Sequence, residues 1–340
     1  MGRPEKLAAF AGPPGPDGRI QCVLCPKRCR ISEGLRGACG TREHRGGSLI
    51  AANYGRVAAL ALDPVEKKPL YHFKPGTNLL SIGAAGCNLS CSFCQNWQLS
   101  NPPSGEIPGD WLGPRGLVKL LEDYRDSNCA GIAYTYSEPL MWYEYVMDAA
   151  PLVREAGYQN VLVTNGYAEA EPWSAILEWV DACNIDVKGF DPDFYRRECG
   201  GELEIVRRNV ELAVNAGTHV EITLLVIPDG TDDPDRLQEM IDWMAVLDAD
   251  IPLHIARYFP HHRMSRAATP LGTLMRVQEM AMQELNNVYL GNVLLPNGSD
   301  TMCPECGQLL IERNGRRVKI RGVTESGRCA GCDREATVVW

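Results

Sequence analysis

From residue 79 to residue 290 the chain alternates short, nearly continuous apolar runs with longer stretches in which apolar positions recur every three to four residues. The runs at 79–84, 131–134, 160–164, 182–187, 220–227 and 253–257 read as strands buried on both faces, the pattern of a parallel sheet. The helical period predicts helices over 116–126, 140–156, 171–180, 203–216, 233–246 and 270–286, with a further short strand at 288–290. Six strand–helix units in this order predict an α/β fold built as a partial barrel.

Composition narrows the class. With 340 residues, 45% of them hydrophobic, the chain can bury a full core, and one large domain with attachments suits its length. No apolar run approaches the roughly 18 residues of a membrane span and no signal-peptide core begins the chain, so a soluble, cytoplasmic enzyme is expected, with no membrane partner. The 14 cysteines fall largely into closely spaced sets, which points to metal ligation in a reduced compartment rather than disulfides. Residues 1–50 hold 9 Lys and Arg against 4 Asp and Glu, and residues 301–340 hold 7 against 5, so the net charge of −9 leaves −16 on residues 51–300. That acidic centre is a poor platform for nucleic acid, whose phosphates need neutralising.

The chemistry is concentrated in the loop that follows the first strand, Gly86-Cys87-Asn88-Leu89-Ser90-Cys91-Ser92-Phe93-Cys94. Three thiolates spaced C-x3-C-x2-C can hold three irons of a [4Fe–4S] cube and leave the fourth iron open to a substrate or cofactor. A zinc or storage-cluster site that borrows Cys129, Cys183 or Cys199 is the competing reading. The loop's place at the C-terminal end of a strand, where α/β barrels carry their chemistry, favours the open cluster.

This loop resembles that of the radical S-adenosylmethionine (SAM) superfamily, and the run Gly-Cys-Asn-Leu-x-Cys-x-Phe-Cys-Gln-Asn is similar to its pyruvate formate-lyase activating enzyme-like branch. Within that branch, Cys22-x2-Cys25-Pro26, Glu66-Lys67-Lys68-Pro69-Leu70-Tyr71-His72-Phe73, Tyr134-Thr135-Tyr136-Ser137-Glu138-Pro139 and Val163-Thr164-Asn165-Gly166-Tyr167 resemble the radical SAM enzyme of the AmmeMemoRadiSam system. The resemblance implies a partial (β/α)6 TIM-like core and SAM bound at the open iron. It also implies an electron donor of flavodoxin or ferredoxin type, and Memo-like and AMMECR-family partner proteins. Reductive cleavage of the C5′–S bond would yield a 5′-deoxyadenosyl radical that abstracts hydrogen from an unidentified substrate.

The strand ends then gain roles by resemblance. Ser137 and Glu138 occupy the place of a Gly-Gly-Glu-Pro motif that binds the SAM amino group, with Tyr136 and Ser137 standing where glycines are usual. Thr164 and Asn165 match Thr-Asn-Gly, and Asp186 and Lys188 match Asp-Leu-Lys near the methionine end of SAM. His262 aligns with a residue that touches the ribose, and Phe93 is expected to cover the adenine edge. A rim ion pair for Asp186 and Lys188, a surface loop for His262 and a core ring for Phe93 are the plainer readings. Thr223 stands where the activating enzymes carry an arginine, two residues after Glu221.

Two cysteine sets flank this core and divide the chain into 1–75, 76–296 and 297–340. Cys303, Cys306, Cys329 and Cys332, two C-x2-C pairs around an Asn314-Gly315 turn, read as a zinc ribbon. Arg313, Arg316, Arg317, Lys319 and Arg321 on its hairpin read as a solvated face. Cys22, Cys25, Cys29 and Cys39 suit either zinc or an auxiliary iron–sulfur cluster, and the turns at Pro26, Gly34 and Gly37 lean towards a zinc knuckle. Three functions follow: a radical SAM enzyme, an activase that installs a glycyl radical, or a zinc-ribbon adaptor without catalysis.

Overall fold

The apolar runs assemble into one eight-stranded sheet in the computed structural model, which describes residues 5–102, 105, 107–293, 295, 298–315 and 317–340. Its strands are β1 (Ala59–Pro64), β2 (Asn78–Gly83), β3 (Cys129–Tyr134), β4 (Gln159–Thr164), β5 (Ala182–Val187), β6 (His219–Val226), β7 (Leu253–Arg257) and β8 (Val288–Gly291), lying side by side in chain order. All neighbours from β2 to β8 are parallel, while β1 runs antiparallel to β2. β1 is an addition to the sequence reading: it grows out of the apolar run at 57–62, is only partly buried at the sheet's edge, and makes the sheet begin upstream of residue 76.

Helices α1 (Pro114–Glu122), α2 (Tyr143–Glu155), α3 (Ala170–Leu177), α4 (Leu203–Asn215), α5 (Pro234–Asp248) and α6 (Leu271–Ala281) fill the crossovers. Two expected bounds move for local reasons. Residues Pro139–Trp142 form a tighter 3-10 turn before α2, where the Glu138 carboxylate accepts from the Leu140 amide. α6 stops at Ala281, and the chain turns so that Asn286 and Asn287 can bond to Ala249 and Asp250.

The N-terminal segment shares the main core: Ile20, Leu24, Ile31 and Leu49 pack in one continuous cluster with Leu80, Ile82, Ile132 and Leu162. It sits on the C-terminal ends of the strands, with the Glu169 amide after β4 bonded to the Leu24 carbonyl. The C-terminal segment is built differently. Its antiparallel strands Thr301–Met302, Leu309–Asn314 and Arg317–Ile320 enclose a small core of their own around Cys303, Leu310, Ile311 and Cys329.

That segment docks at the opposite ends of the strands. Val339 bonds to His72 and Lys74, and the His72 ring bonds to the Tyr289 hydroxyl (2.6 Å) and the Thr337 carbonyl (2.9 Å). Glu221, fully buried on β6, accepts from the Tyr71 and His72 amides and from the His219 and His254 rings, which fixes residues 71–73 beneath the sheet. Arg313 corrects the reading of a solvated hairpin face. It is 7% exposed and donates to the Ser299 and Tyr71 carbonyls and the Thr301 hydroxyl, bonds that hold its buried guanidinium at this joint. Arg316 lies outside the described residues.

Candidate active site

The cysteine loop leaves the C-terminal end of β2 under a close constraint. Gly86 has φ +112°, and a Cβ there would stand 2.4 Å from the Thr41 methyl and 2.9 Å from the Cys39 carbonyl oxygen, so only glycine lets the N-terminal segment press on the loop. Cys87 follows, then Cys91 and Cys94. Polar groups converge on their sulfurs: the Leu89 amide (3.4 Å) and the Asn165 side-chain amide (3.6 Å) donate to Cys87, and the Cys94 sulfur and the Ser100 hydroxyl lie in hydrogen-bond contact at 3.6 Å. Burial and the Glu138 carboxylate push the Cys87 thiol well above its usual range, so an incoming metal must displace its proton. At Cys91 a hydrogen bond from the Cys199 thiol and the nearby Lys188 ammonium favour the thiolate.

This donor set fits a thiolate-ligated cluster. The three sulfurs are not gathered within 4.8 Å of one another, as ligands of a single ion would be, which suits a cube in which each thiolate caps a separate iron. Cys199 touches Cys91 itself, a position for a hydrogen-bond donor and not for a ligand to a further iron. Cys129 and Cys183 lie on β3 and β5, where Cys129 bonds to the Gly131 carbonyl and Cys183 is wholly buried.

The next strand ends bring their residues to the same place. Glu138, after β3, is 2% exposed and accepts from the Leu140 amide (3.0 Å), the Thr164 hydroxyl (2.7 Å) and the Asn165 amide (2.8 Å). Burial pushes its carboxyl up to about 7 against the pull of these donors and of Lys188. Asn165 links β4 to the loop, since its side-chain amide also donates to the Asn88 Oδ1 (3.0 Å). Lys188, after β5, pairs with Asp186 at 2.6 Å; burial works against its charge, but Asp186 and Cys91 outweigh that and hold its pKa above the ordinary value.

Tyr136 shows how a side chain replaces a glycine. Its φ is +72°, the left-handed region glycine favours, which costs a bulky residue of order 1–3 kcal/mol. The ring is held from its far end, where the hydroxyl donates to Asp63 (3.0 Å) and Lys68 lies 5.1 Å from its centroid. Asp63 also accepts from Lys67 and Lys68, so the Glu66–Phe73 stretch supports this turn. Ser137 donates to the Ala84 carbonyl at the end of β2.

Phe93 and His262 occupy different surroundings. Phe93 is buried and stacks on Phe194 at 6.1 Å, whereas His262, with φ +54°, stacks on the half-exposed Trp97 at 5.0 Å beside the cysteine loop. His261 bonds to the Gln95 carbonyl (3.0 Å). Sequence reasoning missed Tyr136 as a strained anchor, Asp63 beneath it, the Cys199 contact and Trp97. Only the substitution of tyrosine for a glycine carried a signal.

With a mostly parallel sheet and a three-cysteine loop at the end of its first parallel strand, the chain is a radical SAM enzyme. Residues 81–244 match the family model of the Radical SAM superfamily, so the chain carries a radical SAM domain, which implies a [4Fe–4S] cluster and SAM. Over 327 residues it is 42% identical to the uncharacterized protein MJ0808 of Methanocaldococcus jannaschii, covering 95% of this chain and 96% of that one, and the two form one family. The pyruvate formate-lyase-activating enzyme of Clostridium pasteurianum is 28% identical over 158 residues, 46% of this chain and 64% of its own. Among solved structures, Streptococcus suis SuiB bound to S-adenosylmethionine shares the fold with a TM-score of 0.52 at 14% identity, covering 67% of this chain and 53% of that one.

Proposed function

We propose that this chain holds a [4Fe–4S] cluster on Cys87, Cys91 and Cys94, binds SAM at its open iron, and abstracts hydrogen from a substrate carbon within a partial (β/α)6 barrel. The convergence of Glu138, Thr164, Asn165, Asp186 and Lys188 on that loop carries the reading. When bound, the cluster and SAM supply reductive cleavage of the sulfonium and a hydrogen-abstracting radical. The chain's residues do the rest: Glu138 offers a buried carboxylate to the SAM ammonium, Asn165 fixes Cys87, and Lys188 compensates thiolate charge beside Cys91.

The matching segments favour a role in the AmmeMemoRadiSam system, with Memo-like and AMMECR-family proteins and a flavodoxin- or ferredoxin-type donor as partners in the cytoplasm. The similarity to the Clostridium pasteurianum enzyme supports a second reading, activation of a glycyl-radical enzyme. The two separate in an anaerobic pull-down followed by deuterium tracing. Deuterium passing into 5′-deoxyadenosine from a glycine-labelled partner favours the activase, and its arrival from any other donor favours the first reading. The C-terminal set is proposed as a zinc ribbon: its sulfurs lie within 4.8 Å of one another, with Cys303–Cys332 and Cys306–Cys329 at 3.6 Å, close to the roughly 3.8 Å edge of a tetrahedron with 2.3 Å zinc–sulfur bonds.

A further inference from the structure

We infer that the N-terminal segment holds a second [4Fe–4S] cluster, ligated by Cys22, Cys25, Cys29 and Cys39, directly beside the Cys87–Cys94 loop. The four cysteines line a single cavity together with Arg42 and Asn88. Their spacing differs from that of the C-terminal set: no three of these sulfurs lie within 4.8 Å of one another. One zinc ion draws four thiolates to about 3.8 Å. A cube holds them farther apart, since each thiolate caps its own iron outside a core of inorganic sulfides.

Arg42 is the independent observation. It is 1% exposed, and its Nη1 bonds to Glu144 at 2.6 Å, yet its Nε and Nη2 have no partner among the described residues. Its charge faces Cys22 and Cys39. Buried N–H groups without acceptors are costly, and a cluster presents sulfide acceptors on the faces between its ligands, where a zinc ion presents only the four thiolates. The guanidinium also offsets the net negative charge of a cube bound by four thiolates.

The centre adjoins the first. Gly86 approaches the Cys39 carbonyl, and Asn88 reaches from the cavity through Asn165, whose side-chain amide lies 3.6 Å from the Cys87 sulfur. A redox centre there can exchange electrons with the SAM cluster across one layer of side chains.

The test is metal and sulfide counting on anaerobically reconstituted protein. A Cys87→Ala, Cys91→Ala, Cys94→Ala variant is expected to keep about four irons and four sulfides per chain, with a reducible signal by electron paramagnetic resonance. Adding Cys25→Ala and Cys29→Ala should remove them. The unsubstituted chain answers independently of any folding defect, with about eight irons expected. About four irons in the unsubstituted chain, lost entirely with the first three cysteines, would overturn the inference, most directly if a second zinc remains. An iron count that the triple substitution fails to lower would strike the Cys87 site and leave this one standing.

Discussion

The two four-cysteine segments occupy opposite ends of one sheet, and they differ in almost everything except their ligands. The C-terminal set is compact, has two exposed cysteines and a separate small core, and lies under the N-terminal ends of the strands. The N-terminal set is open, lined by a buried arginine, continuous with the main core, and pressed against the catalytic loop. In α/β barrels the C-terminal strand ends carry chemistry and the opposite ends carry stability. On the proposed readings, position and surroundings, more than cysteine spacing in the sequence, separate a structural ion from a redox centre.

The largest expected effect tests the structural half. Cys306→Ser with Cys329→Ser should release zinc and unfold residues 301–340, since structural zinc supplies about 10–16 kcal/mol of folding energy in comparable small modules. Elemental analysis and limited proteolysis read the loss, while slow SAM cleavage should persist. Abolished cleavage in a folded, cluster-loaded protein would bring the ribbon into the catalytic machinery.

Charge sharpens the contrast. Glu144→Ala leaves Arg42 buried without its carboxylate and should lower stability by about 3–5 kcal/mol in denaturant titration. Glu305→Ala, at an exposed pair 3.6 Å from Arg334 beside the C-terminal set, should cost about 0–1 kcal/mol. Equal costs would erase the distinction between the two surroundings.

Between them lies the SAM site. Glu138→Gln should weaken SAM binding by about 1.5–3 kcal/mol, roughly 10- to 150-fold, with the cluster retained. Because burial raises this carboxyl to about 7, protonation below that pH removes the charge, and SAM affinity should increase as pH rises through about 7. An affinity unchanged by the substitution returns Glu138 to capping the 3-10 turn.

The smallest effect concerns the C-terminal joint. Burial holds the His72 imidazole down to about 4, so between about 4 and its ordinary 6.5 the folded chain binds fewer protons than the unfolded one. The stability it contributes is present above about 6.5 and is lost as pH falls towards 4. Hydrogen exchange at the Val339 amide, bonded to the His72 carbonyl, should quicken over that window, and a flat profile would place the joint's stability elsewhere.

Much of this was legible in sequence because burial on both faces leaves mainly apolar runs: those at 182–187 and 253–257 match β5 and β7 residue for residue. β1 escaped because it stands outside the strand–helix alternation: residues 57–62 are an unbroken apolar run, but no α-helix separates them from β2. The cysteine loop was visible because thiolate spacing is local chemistry. Arg42 and Asp63 were not, since an arginine or aspartate looks solvated until the fold buries it against a partner far away in sequence, Glu144 for Arg42 and Tyr136 for Asp63. The Arg313 error has the same origin.

The most direct test of the account is anaerobic SAM cleavage, followed as 5′-deoxyadenosine formed per chain with a strong reductant. Wild-type protein should form it. Cys91→Ala should abolish it together with about four irons, while Cys129→Ala and Cys183→Ala leave both intact and Cys199→Ala keeps the iron. Cleavage and iron content unchanged by Cys91→Ala would contradict the assignment of the catalytic loop.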